Sequence, residues 1–554
     1  MVLIFAPALI LFLCFLLRVL AELRSGLWEP DLDYLMVVAD QWLAGRPPWI
    51  FDFDDKLPLT YVFFLPAALA GSIRVFQLEA TLIIMAGAAC VASIIRDRIR
   101  STRILPDQLV LAISLFGFSL FCYCIAFCAS SINATNGLAA SFFAAGAALL
   151  FFIVQRHRIL SLHALPALML AALLVAVAVS LRPYFFLPSL ALIVWVYLAS
   201  EKRFSYTLIP VGVVWSASLA GSGFLLNYLP YLVSGHSRAF FSGLEILSQK
   251  LIPSVLQEVV KRQFYDVLSL PDIIFFCLTS CFLLALIVFF PSKRLPLFLR
   301  PSDRLAKVNA TIRCDAFFWG LFFNILLELL ILKKHYYPHY LQFFVPFAAI
   351  SFCWLVAIVA ATVQPLARVM KLRLLMIAII IFLALLRTDF AFAARDLLFP
   401  VLDTRTAEYV TFKSDPTVAA RLRKGFLYPE SMSAHWRLHS PRFGFPNTFS
   451  MQLIDEGAWR YLKMPAYFNL PTTPEALCER LRESGPATII TKTESFARCL
   501  ENDPNKNYKL LPSVDHSLIR VAIDALKIPP YTVRMYERLT APAKSPYPSG
   551  TGSH

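Results

Sequence analysis

WEPDLDYLMVVADQWLAGRPPWIFDFDDKLPLTY (Trp28–Tyr61) follows the first apolar run of the chain and carries six Asp and one Glu against two cations, Arg46 and Lys56. The segments on either side are too apolar for a water-soluble fold. An acidic loop in such a setting is either a solvated connector or a means of bringing a carboxylate to the edge of a membrane. Pro30 pre-sets the first turn of a helix, and acidic side chains suit a helix N-terminus. Asp31 and Asp33 therefore sit where a helix is expected to begin, and capping alone would account for either. A general base must come within about 3 Å of its proton, directly or through one water. A carboxylate screened from water has its pKa raised toward the range such a base needs.

The rest of the chain sets the context for that loop. Its 554 residues are 58% hydrophobic and 16% charged, with a mean hydropathy of +0.65. Composition of this kind excludes a soluble protein and indicates a polytopic membrane protein. A net charge of +15 would suggest nucleic acid in a soluble chain. Here many of the Lys and Arg lie in short loops between apolar runs, where they orient the protein in a bilayer. No RNP, zinc-finger or Gly-rich phosphate motif is present, so no nucleic-acid partner is expected. Eleven cysteines form no repeated CxxC, and most lie inside apolar runs as small hydrophobes. Cys478 and Cys499 stand apart in the polar tail, where an oxidising compartment would allow a disulfide. Arg18 and Glu22 occupy the place of a small-residue cleavage site, so the first run reads as a retained anchor.

A crossing helix needs roughly 20 apolar residues. That rule yields eleven spans: Leu3–Leu20, Phe76–Ile95, Leu109–Cys128, Leu138–Val154, Ala164–Leu181, Tyr184–Ala199, Thr207–Leu226, Asp272–Phe290, Asp315–Leu332, Leu341–Val363 and Leu374–Phe390. With the N-terminus cytoplasmic, all five basic loops (Arg96–Arg103, Arg156/Arg158, Lys202/Arg203, Lys293–Arg313, Arg368–Arg373) fall inside, as the positive-inside rule requires. Counting Leu57–Ile73 as a further crossing would put every one of them outside. It is therefore expected as a short juxtamembrane or re-entrant helix buried against protein. The acidic loop, the Arg182-Pro183-Tyr184 turn, the loop Asn227–Pro271 and the turn KKHYYPHY (Lys333–Tyr340) then share the non-cytoplasmic face. Amphipathic stretches around Phe240–Arg262 suit an interfacial helix.

From Ala391 the composition turns polar and proline-rich. Period-two runs at Ala487–Thr491 and Leu518–Ala522, beside a helical pattern at Pro474–Glu483, predict a small exterior α/β or α+β domain over 391–545. It follows a transmembrane module over 1–390, whose first external loop is 21–75, and precedes a disordered end over 546–554. Further signals carry less. The sequons at Asn133 and Asn309 are short matches. Asn324 and Glu328 lie within a span, where a cavity role and internal hydrogen bonding explain them equally well. His435-Trp436-Arg437 suits either a sugar platform or an ordinary domain core.

The order Asp31, Leu43-Ala44-Gly45-Arg46-Pro47-Pro48-Trp49, then Lys56-Leu57-Pro58-Leu59-Thr60-Tyr61 leading into an apolar helix, resembles the first external loop of the GT-C superfamily. These are integral-membrane glycosyltransferases that use polyprenyl-phosphate sugars. The interval from Asp31 to Gly45 looks like that of the bacterial phosphatidylinositol mannosyltransferase branch, close to the arabinosyltransferase-like enzymes. HYYPHYLQFFVP likewise resembles the entry to a late helix in such enzymes. The resemblance is specific over about Trp28–Pro66. Tyr34 directly after Asp33, and the additional Asp52, Asp54 and Asp55, depart from the pattern.

The resemblance implies a GT-C-like polytopic α-helical fold of about 11 crossings with juxtamembrane helices. It implies transfer of a hexosyl or pentosyl group from a polyprenyl-phosphate sugar to a glycan, glycolipid or other cell-envelope acceptor, with inversion. The setting implied is the non-cytoplasmic face of a bacterial inner membrane. Asp31 is the implied base, with Asp33 its rival. Cations must meet the leaving phosphate. Arg182, between two apolar runs, is the first candidate, with a topological anchor as the plain alternative. Lys333, Lys334, His335, Tyr336, His339 and Tyr340 form the second group, for which an interfacial aromatic belt is the alternative. Lys56 is a third, and Arg74 a weaker one that suits a helix end. The Asp31/Asp33 pair is able to hold Mg2+ or Mn2+, but several relatives work without metal and none is assigned. A polysaccharide polymerase or O-antigen ligase remains a rival because the loop 227–271 carries His236, Arg238, Lys261 and Arg262. A lipid-linked-sugar transporter or flippase is the other, and would require inverted repeats and mid-bilayer charges.

Overall fold

The computed structural model describes residues 2–25, 30–43, 45, 47–49, 56–127, 134–156, 164–199, 208–250, 311–312, 314–320, 322, 342–363, 391, 394–395, 397–399, 404–422, 426–428, 474–492, 494–512, 517–526 and 530–539. In chain order the elements begin with helices α1 (Val2–Ser25), α2 (Pro30–Leu43), α3 (Leu59–Val62), α4 (Leu65–Leu69), α5 (Ile73–Thr102), α6 (Asp107–Phe127), α7 (Ala134–Arg156) and α8 (Leu165–Leu181). A 3-10 turn at Pro183–Phe185 leads into α9 (Phe186–Ala199), followed by α10 (Leu208–Val233), α11 (Ser237–Lys250), a π-helical turn at Ala316–Gly320, and α12 (Val345–Val363). The polar tail contributes α13 (Thr404–Ser414), α14 (Pro416–Leu422), β1 (Phe426–Leu427), α15 (Pro474–Ser484), β2 (Thr488–Thr491), α16 (Glu494–Glu501), β3 (Tyr508–Leu510), α17 (Ser517–Leu526) and β4 (Arg534–Arg538).

The described chain is mostly helical, and five of its helices are long and apolar enough to cross a membrane: α1, α5, α6, α7 and α10. Shorter apolar helices cover Leu165–Leu181, Pro183–Ala199 and Gln342–Ile358. The run 57–73 breaks into α3 and α4, of four and five residues, far short of the roughly 20 that a crossing needs. The spans expected at Asp272–Phe290 and Leu374–Phe390, and most of Asp315–Leu332, lie outside the described residues.

The chain forms two compact units. One comprises Met1–Val19, Leu78–Leu226 and Leu256–Ala394; the other comprises Leu20–Gln77, Asn227–Val255 and Arg395–His554. In the first, α7 lies against α8, and α12 against α6 and α7. Small residues permit the close approach that helix packing in lipid favours. A Cβ at Gly87 would come within 2.5 Å of Ser141 on α7, and one at Gly146 would overlap Val175 on α8. Tilted and edge-on ring pairs lie between the helices. Phe143 lies 4.9 Å from Phe185 and 5.4 Å from Phe347, Trp319 5.5 Å from Phe347, and Trp195 5.0 Å from Trp319.

In the second unit, α2 packs on α3 and α4. It buries Leu32, Leu35, Met36 and Ala39, the i, i+3, i+4, i+7 stripe of an amphipathic helix. The tail holds a four-stranded sheet in the order β1-β2-β4-β3. β1 and β2 run parallel, and β4 runs antiparallel to both β2 and β3, with Ile489 opposite Tyr536 and Lys509 opposite Glu537. Its apolar face packs with Phe412, Leu422, Ile519 and Ile523.

Two expectations are corrected here. Leu518–Ala522, read from its alternation as a strand, belongs to helix α17. Its buried positions are Ile519, Ala522 and Ile523, a helical spacing that a five-residue window cannot distinguish from period two. The span expected to end at Leu226 runs on as helix to Val233, through Pro230. The disulfide left open by the sequence is formed: Cys478 on α15 pairs with Cys499 on α16 at a Cα–Cα distance of 5.8 Å. Arg538 on β4 closes the end of α15 by donating to the carbonyls of Arg482 and Glu483, which have no acceptor role left inside the helix, and to that of Gly485 just beyond it.

Candidate functional site

Arg182 owes its position to the residue after it. Proline disfavours the helical conformation in the residue that precedes it, so α8 ends at Leu181 and Arg182 takes an extended backbone, φ −148° and ψ 107°. Its N–H still donates to Ala178 O at 2.9 Å, while its side chain leaves the helix line. The guanidinium Nη2 donates to Thr135 Oγ1 at 2.5 Å, at the start of α7. Its Cζ lies 6.0 Å from the Phe343 ring, within cation–π range. Nε is buried and finds no acceptor among the described residues. A buried donor left without a partner costs about 1–3 kcal/mol. The group is therefore held in place by one hydroxyl and one ring, with donor capacity remaining. Thr135 completes the sequon at Asn133, and its hydroxyl accepts from an arginine 47 positions away.

A second arginine in the same unit is saturated. Arg98, at the end of α5, is 4% exposed. Its Nε meets the Asp315 carboxylate at 3.1 and 2.9 Å, Nη1 donates to Ala199 O at 2.8 Å, and Nη2 to Thr311 O at 3.5 Å. Asp315 also accepts from the indoles of Trp195 and Trp354, both at 3.0 Å. Every strong group of this cluster is matched inside the protein, which makes it a structural clamp.

In the other unit, Asp31 and Asp33 are the second and fourth residues of α2. Asp31 precedes the buried Leu35 and Val38 by four and seven positions, the spacings of one helix face. Asp33 precedes Asp40, which is half-buried, by seven. Lys56 is half-buried ahead of α3. Behind it, Thr60 Oγ1 and Tyr61 Oη are buried and have no hydrogen-bond partner among the described residues. Arg74 lies in the first turn of α5, as a helix-end residue does. His236 and Arg238 are exposed at the start of α11. Lys333, Lys334, His335, Tyr336, His339 and Tyr340 lie outside the described residues, as do Asp52, Asp54, Asp55, Glu328 and His435–Arg437. Among the described residues no group of three or more His, Cys, Asp or Glu side chains is placed to hold a metal ion.

No family model and no curated protein matches the chain. Among solved structures it is similar to the archaeal oligosaccharyltransferase AglB from Archaeoglobus fulgidus, determined with an inhibitory peptide and a dolichol-phosphate. The identity is 12% and the TM-score 0.39, over 91% of this chain and 72% of that one.

Proposed function

We propose that the chain is an integral-membrane glycosyltransferase of the GT-C kind, moving a sugar from a polyprenyl-phosphate donor to an acceptor hydroxyl on the non-cytoplasmic face of a bacterial inner membrane. The observation that carries this reading is the Arg182 guanidinium. It is fixed by Thr135 and Phe343, yet keeps a buried Nε–H without an acceptor among the described residues. Arginine's planar fork suits phosphate oxygens. Lys56 and the turn Lys333–Tyr340, with Lys334, His335, Tyr336 and His339, supply the remaining cations and phenols around the phosphate and sugar.

The chemistry follows from charge. Asp31 takes the proton of the acceptor hydroxyl, and the oxygen attacks the anomeric carbon from the side opposite the phosphate. The bond from that carbon to the phosphate oxygen breaks, and polyprenyl phosphate leaves as an anion that Arg182 stabilises. Attack from the opposite side inverts the anomeric centre. Asp31 is preferred to Asp33 on the interval from Asp31 to Gly45, which resembles that of the family's first external loop. Two further facts support the exterior assignment. Residues 20–77, 227–255 and 395–554 share one compact unit, and the charge-bias topology puts those same parts of the chain on one side. The Cys478–Cys499 disulfide suits an oxidising compartment. The tail over 391–545 then serves to orient the glycan or glycolipid acceptor.

The test is transfer by purified protein from a polyprenyl-phosphate sugar. Asp31→Asn is expected to lower kcat by about 10²–10⁴-fold, the usual worth of a general base, and Asp33→Asn by less. Wild-type protein that consumes no such donor, or full activity in Asp31→Asn, would turn the assignment toward a polymerase, ligase or flippase.

A further inference from the structure

Trp49 stands in a backbone conformation that a bulky residue rarely adopts. Its φ is 65°, in the left-handed region that costs a non-glycine residue on the order of 1–3 kcal/mol and persists only where its surroundings impose it. The surroundings do. The indole is 0% exposed, with its centroid 5.9 Å from Phe240 and 6.3 Å from Tyr231. On α11 it faces Gly243, where a Cβ would overlap the ring. Tyr231, itself fully buried, donates its hydroxyl to Pro48 O at 2.5 Å. Ten residues beyond Trp49, the Leu59 N–H donates to Oδ1 of the buried Asn227 at 2.9 Å.

The acidic loop is thus fastened twice to the α10–α11 corner, once through the Trp49 turn and once through α3. α3 and α4 in turn pack on α2. At its other side the Trp49 turn leads back to α2 within six residues, through Gly45, whose N–H donates to Trp42 O at 2.9 Å. We infer that Trp49 is a positioning residue: seated against Gly243 and Tyr231, it docks the acidic helix on the α10–α11 corner and so sets where the turn carrying Asp31 and Asp33 stands. This rests on the glycosyltransferase reading only for its catalytic consequence. The mechanical coupling is independent of it.

The decisive measurement is backbone hydrogen exchange on the full chain in detergent or nanodiscs, comparing wild type with Gly243→Ala and Trp49→Ala. Exchange over 30–43 should accelerate by about tenfold, since local opening free energies differ between cooperative segments. Strands 488–491 and 534–538 should be unchanged. Exchange over 30–43 within twofold of wild type would overturn the coupling. Should both variants also speed exchange in the strands, Tyr231→Phe decides, since it removes one hydroxyl and no volume: a selective rise over 30–43 supports the lock, and none refutes it. In transfer assays Gly243→Ala should lower kcat by about tenfold with KM little changed, because a displaced base misses the reacting atoms while donor contacts persist. Failure of all transfer, with the exchange result intact, refutes the enzyme and leaves the lock. Unchanged exchange beside normal wild-type transfer refutes the lock and leaves the enzyme.

Discussion

Arg98 and Arg182 stand at opposite ends of α9, Arg98 on the carbonyl of its last residue and Arg182 just ahead of its first turn. Fourteen residues of helix separate those ends by about 21 Å. Both arginines lie among rings, yet their partners differ in kind. Arg98 meets a buried carboxylate and two carbonyls, and that carboxylate is itself satisfied by two indoles. Arg182 meets one hydroxyl and one ring face, and has a buried donor to spare. A charge matched on every side holds helices together. A charge fixed in place but incompletely matched is suited to a ligand that brings its own negative charge.

The sharpest way to break that contrast is to remove the carboxylate. Asp315→Ala leaves Arg98 charged and buried without its counter-ion and orphans the Trp195 and Trp354 indoles. Uncoupling a buried pair costs about 3–5 kcal/mol, so thermal unfolding of the detergent-solubilised protein should begin well below wild type. A double change of Arg98→Met with Asp315→Leu should recover much of that loss, because no unpaired charge remains. If Asp315→Ala melts with wild type, the clamp reading of Arg98 is wrong.

The same substitution logic should give the opposite pattern at Arg182. Arg182→Met removes one hydrogen bond and a half-buried charge, so unfolding should shift little. Under the proposed function, donor recognition should suffer instead. A hydrogen bond to a charged group is worth about 1.5–3 kcal/mol, which corresponds to a roughly ten- to hundredfold loss of kcat/KM. Arg182→Lys should recover only part of it, since an ammonium lacks the planar fork. A large stability loss with unaffected transfer would make Arg182 a second Arg98.

How much of this contrast can be read in the sequence depends on how local its causes are. Arg182-Pro183 is a local signal, because a proline ends the preceding helix and turns the arginine out of line. The Pro30 start and the apolar stripe of α2 are local as well. Arg98 looks like any member of a basic loop, because its counter-ion comes 217 residues later and no periodicity links the two. The Trp49 turn is equally hidden: its left-handed backbone is imposed by Tyr231, Phe240 and Gly243, whereas sequence signals for that conformation rest on glycine or asparagine. The α17 stretch misleads for the opposite reason. Five residues of alternation satisfy both periods, and only burial along the full helix separates them.

The mildest change tests whether Thr135 sets the geometry of Arg182 or merely occupies it. Thr135→Val keeps the β-branched shape at the start of α7 and deletes the hydroxyl that accepts from Nη2. The hydroxyl does not itself touch the donor, so transfer should lose only part of the roughly 1.5–3 kcal/mol that a hydrogen bond to a charged group is worth. If the hydroxyl orients the guanidinium toward the phosphate, transfer should fall by roughly three- to tenfold, mostly as a higher KM for the donor, while Thr135→Ser stays near wild type. If the guanidinium is instead set by its stack on Phe343 and the extended backbone before Pro183, valine and serine should behave alike. A Thr135→Val protein that unfolds as early as Asp315→Ala would show that this end of α9 is also a clamp. The distinction between the two arginines would then rest on the Nε donor alone.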